Sequence, residues 1–204
     1  MTDTIDRPGP VRLPAAERRE QLLGVALESF AAHGYHGTSM NDVAEAAGVT
    51  KPVLYQHFAS KKALYTELVN ELGAVLEQQI IDAVSEAGGP RQQVEAGFQA
   101  YFRWATTQAD AFRVLFAERN RTDRELAAAV TKVESMIADT VASLIRVEGL
   151  SEAERDVLAY GVVGLAEATS RRWLVEDLGS GTDADEFAET VAELAWSGLR
   201  GIHR

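Results

Sequence analysis

Residues 38–62 read TSMNDVAEAAGVTKPVLYQHFASKK, and no other stretch restricts the possible folds as tightly. Thr38 and Ser39 stand where a helix begins, and Ser39 with Asp42 has the spacing of a capping box. Val43, Ala44 and Ala47 recur at helical spacing as an inward stripe, Gly48 supplies the left-handed residue that ends a helix, and Val49 plugs the turn. Thr50 is positioned to cap a second short helix, with Pro52 in its first turn, where a missing N–H costs little. In that helix Val53, Leu54 and Phe58 are the packing residues, while Lys51, Tyr55, Gln56 and His57 stay on the outer face. Two short helices joined by a tight turn, with phosphate- and base-seeking side chains outside, have the size and chemistry of a helix-turn-helix that reads DNA. An ordinary helical hairpin with a solvated face satisfies the same periodicity, so the flanks decide between them.

Upstream, from about Ala16 to His33, Leu22, Leu23, Ala26, Leu27 and Phe30 form the core stripe of an amphipathic helix that closes on Gly34. Downstream, Ser60 caps a further helix beginning Lys61-Lys62-Ala63-Leu64-Tyr65. The result is a three-helix unit with a fourth helix leaving it. The run H-G-Y-x-G-T-S followed by D-V-A-x-x-A-G-V-x-K-P-x-L-Y-x-H-F-x-S-K-x-x-L, between about Arg18 and Leu68, resembles the DNA-binding domain of the tetracycline-repressor (TetR) family. The rest of the chain fits that family by length and helicity alone.

The resemblance implies a homodimeric, ligand-responsive transcription regulator that sets Thr50–Phe58 of each subunit in a major groove. Position by position, it implies that Lys51 meets a base or phosphate, that Pro52 and Val53 meet thymine methyls, and that Tyr55 and His57 take phosphates. Gln56 would read a base edge, Asn41 would touch a base from the first helix, and Thr38, Ser39 and Lys61 would anchor the DNA backbone. Two such heads read a pseudo-palindrome when their reading helices lie about 34–36 Å apart. Repression relieved by the effector is the expected sign, with activation by the same fold as the alternative. A different class of protein, a helical ligand- or protein-binding dimer whose head is only a scaffold, is separated from both by sequence-selective, salt-sensitive DNA binding.

The net charge of −11 at first opposes a DNA-binding role. Residues 1–62 carry seven Lys/Arg and seven Asp/Glu, however, and residues 63–204 carry thirteen and twenty-four. All the excess acid lies in the second part, which phosphates repel, so only the neutral head can approach DNA. With few cations available, the counterion-release contribution is expected to be modest. There is no cysteine, which removes disulfides, thiolate catalysis and Cys-based zinc sites. The first fourteen residues are polar and proline-bearing and read as a disordered arm rather than a signal peptide. No apolar run approaches the roughly 20 residues of a membrane span, so a cytoplasmic protein with no membrane partner is expected.

The fold class expected is all-α: a disordered arm (1–14), a helix-turn-helix head (15–62) joined by a long helix to a helical ligand-binding and dimerisation domain (63–204). Helix four should run from Lys61 to about Ala87, before Gly88-Gly89-Pro90, and the next from Arg91 to about Thr107. Asp110 opens a short segment. Thr122 with Glu125 reads as a capping box for a long helix ending at Gly149, Ser151 with Glu154 as the next, and Asp183 with Glu186 as the last. Gly179-Ser180-Gly181 reads as a loop.

The last two helices carry more apolar surface than one buried face requires. Tyr160, Gly161, Gly164 and Leu165 in the first, and Val191, Leu194, Trp196 and Leu199 in the second, are expected in a two-fold four-helix interface, though a central core position would also bury them. The remaining helices hold most of the aromatics. Phe98, Tyr101, Phe102, Trp104, Phe112, Phe116 and Trp173, with Ile137, Val141, Glu167 and Arg171, are the candidate lining of a pocket for an acyl or aromatic effector; as a set the large apolar residues describe a core equally well, and for any single one a core position is the better reading. Catalysis has no support. His33 and His36 lack a third ligand of suitable type, and no phosphate loop or nucleophile elbow occurs, so no cofactor or metal is expected.

Overall fold

The computed structural model describes residues 14–117, 124–175 and 183–202, and every regular element among them is a helix. In order these are α1 (Ala15–Gly37), α2 (Met40–Ala46), α3 (Lys51–His57), α4 (Lys61–Ser85), α5 (Pro90–Thr107) and α6 (Ala109–Phe112). A π-helical turn, Arg113–Ala117, continues α6, and α7 (Arg124–Leu144), α8 (Glu152–Val175) and α9 (Ala184–Leu199) follow. Among the described residues no helix is long and apolar enough to cross a membrane, and no cluster of three His, Asp or Glu is placed to hold a metal.

Several ends differ from those the sequence suggests. The long run of α1 closes at Gly34 as expected (φ 71°, ψ 168°), but a further short helical turn to Gly37 follows, with Tyr35 in the core. α5 begins on Pro90 itself, whose fixed φ suits a first helical position. α7 ends at Leu144, five residues before Gly149, and the chain leaves the helix so that Ile145 and Val147 line the cavity described below. Gly149 (φ 82°) then makes a left-handed turn ahead of α8, where Ser151 and Glu154 form the expected box. Asp183 precedes α9 without a side-chain cap. The N-terminal arm, Thr122 of the proposed α7 box and the glycine loop lie outside the described residues.

α1, α2 and α3 gather around the start of α4, and the rest of α4 packs against α5 and α7. α4 with α5, and α7 with α8, form antiparallel hairpins, and α9 lies along α5. One buried cluster runs from Leu22, Phe30 and Leu54 in the head through Tyr65 and Leu76 of α4 to Phe98 and Trp173 in the body. α4 therefore has two ends in different surroundings and a middle pressed against α7. At that crossing a β-carbon on Gly73 would lie 2.5 Å from one Val133 methyl and 2.6 Å from the other.

On an open helix, Gly→Ala stabilises by about 0.5–1 kcal/mol. At Gly73 the clash reverses the sign: Gly73→Ala should destabilise by about 1–3 kcal/mol in urea unfolding. Adding Val133→Ala should recover part of that loss as a coupling energy. A stabilised single variant would show that α4 and α7 are not in contact here.

Candidate nucleic-acid interface and ligand cavity

The head is held by backbone and side-chain closures that its sequence encodes locally. The Ser39 N–H donates to the Asp42 carboxylate (2.8 Å), and the Asp42 N–H donates to the Ser39 hydroxyl (3.2 Å), completing the capping box of α2. α2 ends in a Schellman turn: the Gly48 N–H reaches the Glu45 carbonyl (3.0 Å) and the Val49 N–H the Ala44 carbonyl (2.9 Å), with Gly48 at φ 65°. These closures fix α3 against α2. On α3, Leu54 is buried, and Phe58 just beyond it is too, while Lys51, Pro52, Tyr55 and Gln56 are exposed and Val53 and His57 are half-buried. Ser39, Asn41 and Thr50 are also exposed, and the Thr50 hydroxyl does not cap α3. An outer face of hydroxyl, lysine, phenol and amide results, which is suited to phosphates and base edges.

Two residues expected on that face have other work. Thr38 is 3% exposed, and its hydroxyl donates to the carbonyls of Ser29 (3.0 Å) and Gly34 (2.9 Å). Lys61 turns inward, donates to the carbonyls of Tyr35 (2.7 Å) and Thr38 (2.8 Å), and sits 4.3 Å above the Tyr35 ring. The break at Gly34 leaves carbonyls unsatisfied, and a hydroxyl and an ammonium occupy them. Sequence reasoning passed over Arg19. Its guanidinium donates to the His57 carbonyl at the end of α3 (3.1 Å), lies 4.6 Å from the Phe58 ring centre, and pairs with Glu67 of α4. Only the contact between α1, α3 and α4 identifies it.

The head meets the body through aromatic rings. Tyr65 of α4 lies edge-on to Phe30 (5.2 Å) and Tyr35 (5.1 Å), and its hydroxyl donates to the Val114 carbonyl (3.1 Å) in the π-helical turn. In the same turn, Phe116 forms part of the wall of a cavity of about 450 Å³. Ile80 and Val84 from the far end of α4, Phe98 and Tyr101 from α5, Ile137 and Val141 from α7, Val163 and Glu167 from α8, and Trp196 and Leu199 from α9 complete most of that wall. Pro90, residues 145–148 and Arg200 stand at the end remote from the head. From Pro90 to Tyr101, α5 rises about 16 Å, which gives the cavity its length.

Not all the candidate lining residues reach this cavity. Phe98, Tyr101, Phe116, Ile137, Val141 and Glu167 do. Phe102, Trp104, Phe112 and Trp173 are instead buried in the core away from the cavity wall, with Trp173 stacked on Phe187 at 5.0 Å and edge-on to Phe102 at 5.9 Å. Arg171 points outward and pairs with Glu167 (3.5 Å). Burial raises the Tyr101 hydroxyl far above the ordinary phenol range, and its hydrogen bond to Ser170 (3.1 Å) opposes that only in part. Tyr101 is a neutral polar group in the cavity wall.

The residues expected at a dimer interface separate in the same way. Tyr160 (42% exposed), Gly161, Gly164 and Leu194 (62% exposed) face outward, beside Val157 (70% exposed). Apart from the chain neighbours and the backbone of α8 itself, no atom lies within 4 Å of a β-carbon built on Gly161 or Gly164. Val191 is buried, Leu165 is half-buried, and Trp196 and Leu199 face the cavity. The apolar surplus of α9 thus serves two opposite faces.

Two family models match the chain: "Bacterial regulatory proteins, tetR family" over residues 22–68, and "Tetracyclin repressor-like, C-terminal domain" over residues 90–198. The transcriptional activator FasR of Mycolicibacterium smegmatis is 35% identical over 192 residues, which cover 94% of this chain and 87% of that protein. A TetR-like regulator from a Rhodococcus species has the same fold (TM-score 0.75, 26% identity, 94% of this chain and 100% of that one). The regulator FadR of Bacillus subtilis, solved with stearoyl-CoA, superposes with a TM-score of 0.77 at 19% identity, covering 90% of this chain and 99% of that one.

The capping box makes a pH prediction. Hydrogen bonds from the Ser39 backbone first, and its hydroxyl second, hold the Asp42 carboxyl below its ordinary 3.8. A depressed carboxylate contributes stability above its unfolded pKa and loses it as pH falls through the folded value. Thermal melts of Asp42→Ala should therefore lie below wild type at neutral pH and converge with it under acid. A gap unchanged from pH 7 to pH 3 would exclude the ionised box as its cause.

Proposed function

The chain belongs to the tetR family of bacterial regulatory proteins and is a DNA-binding transcriptional regulator; within that family, we propose that it acts as a homodimer whose hold on a pseudo-palindromic operator is set by a hydrophobic or amphipathic effector in the cavity. One observation carries this reading. The turn Arg113–Ala117 offers Phe116 to the cavity and the Val114 carbonyl to Tyr65, while α4 offers Ile80 and Val84 to the same cavity. An occupant displacing Phe116 or the end of α4 therefore acts on the helix that carries the head. It changes operator affinity by the difference in its own affinity for the two head spacings.

Dimerisation is supported by the outward stripe Val157, Tyr160, Gly161 and Gly164 on α8 and by Leu194 on α9, which a second copy related by a two-fold axis would cover. In that dimer each α3 enters a major groove. Lys51, Tyr55 and His57, with Thr50 and Ser39, take phosphates, and Gln56, Asn41, Pro52 and Val53 meet base edges and methyls. Thr38 and Lys61 position the head from within. An acyl effector is favoured by the length and apolar walls of the cavity, and FadR of B. subtilis holds an acyl-CoA in the same fold. We read the sign as repression. Activation is the second reading, favoured by the M. smegmatis relative, which is named an activator.

Fluorescence anisotropy on a library-selected site and a scrambled control, across a salt series, tests the DNA reading. Tyr55→Ala should weaken both by roughly 1.5–3 kcal/mol, the worth of one hydrogen bond to a charged group. Gln56→Ala should remove about 1–3 kcal/mol of discrimination between them. Equal weak binding of the wild type to both would reduce the head to a scaffold. Val163→Trp, which fills the cavity, should keep operator binding and abolish the response to acyl-CoA. In vitro transcription from the selected site gives the sign.

A further inference from the structure

We infer that the effector is an anionic amphiphile that enters tail first, with its acid group held by Arg146 and Arg200 at the cavity mouth and its tail running toward Phe116. This inference rests on the cavity being the effector site. Both arginines line the cavity at its remote end, and neither side chain has an ion pair or hydrogen bond within the described residues. Arg91, close by in sequence to Pro90, is in a different state, bound to Glu95 (2.7 Å) and Glu193 (2.9 Å). Other described arginines are similarly committed, such as Arg103 to Asp185 and Arg155 to the Leu150 carbonyl. In a segment with thirteen basic and twenty-four acidic residues, two unpaired guanidiniums beside an apolar cavity are a departure from the prevailing charge.

The charges are ordered along the cavity. Its inner part carries the carboxylates of Glu134 and Glu167, both close enough to raise the Tyr101 hydroxyl electrostatically, with Arg171 answering Glu167 from outside. An acid group placed there would meet like charge in apolar surroundings. The mouth carries Arg146 and Arg200 against the single carboxylate of Glu148, with the Gln93 amide alongside. Arg146 and Arg200 are exposed where they line the cavity, and with carboxylates farther in this order of charge favours an anionic amphiphile entering tail first. Each arginine also follows the last turn of a helix, α7 or α9, where a cation is favoured by the helix dipole. The dipole accounts for a cation at each place but not for both side chains lining one apolar mouth. A guanidinium suits either acid the chemistry allows, a carboxylate or a phosphate.

The test is isothermal titration of the full-length protein with laurate, lauroyl-CoA and the uncharged dodecanol. Anions should bind wild type roughly tenfold or more tightly than dodecanol, the worth of about one charge-assisted hydrogen bond. Arg146→Gln with Arg200→Gln should erase that preference and leave dodecanol unchanged, while Arg146→Lys with Arg200→Lys should retain most of it. A preference for laurate alone assigns a carboxylate to the mouth; a preference for lauroyl-CoA alone assigns a phosphate. Equal binding of all three by wild type, or an anion preference that survives the double glutamine variant, overturns the inference while the cavity reading stands. Binding of all three that survives Val163→Trp, or no binding to wild type, removes the cavity reading itself.

Discussion

α4 must satisfy three environments with one rigid rod, and the remainder of the structure follows from that constraint. At its start Tyr65 closes the aromatic cluster of the head and reaches the Val114 carbonyl. At its middle Gly73 is pressed against Val133 so closely that no β-carbon fits. At its end Ile80 and Val84 line the cavity. A helix propagates displacement along its length because its backbone hydrogen bonds resist local bending. The head and the cavity are thus connected through one continuous helix, without any side chain spanning the distance between them.

The head economises on cations in a way that its composition does not reveal. Of its lysines and arginines, Lys61 fills the carbonyls opened at Gly34, and Arg19 bridges the end of α3 to α4. Both charges work through buried or half-buried contacts, where a cation held by carbonyls or stacked on a ring is worth more than one in bulk water. Their loss from the DNA face reinforces the expectation of a modest electrostatic contribution to operator binding. On the proposed reading, positioning on the DNA backbone falls to hydroxyls, the Tyr55 phenol and Lys51. The geometry of α3 matters more here than charge density, so the cap, the Schellman turn and the Arg19 bridge are functional parts of the reading head.

The sequence was most legible where interactions are local. The box Ser39–Asp42, the turn at Gly48 and the box Ser151–Glu154 each close within five residues, and each is present as read. Aromatic residues were far less legible. Phe98 and Phe102 lie one helical turn apart on α5, yet Phe98 faces the cavity and Phe102 packs on Trp173 and Phe187. A turn and a tenth of rotation separates lining from core, and only the position of the neighbouring helices says which is which. Arg146 and Arg200 carry no signal in sequence, because what distinguishes them is the absence of the carboxylates that neutralise Arg91 and Arg103.

What the chain determined by itself is its helices, the capping boxes at Ser39 and Ser151, the turn at Gly48, the reading head and the split of charge between head and body. All of these arise from contacts a few residues apart or from counts along the chain. Tertiary structure alone decided which apolar faces meet one another. α9 is apolar on two sides because Trp196 and Leu199 face a cavity while Leu194 faces outward, and α8 divides in the same way about Val163 and Tyr160. It also turned Thr38 and Lys61 inward. Periodicity records that a residue is apolar or polar and on which side of its helix it lies. It carries no record of what stands opposite, and that is what makes a residue core, cavity wall or interface.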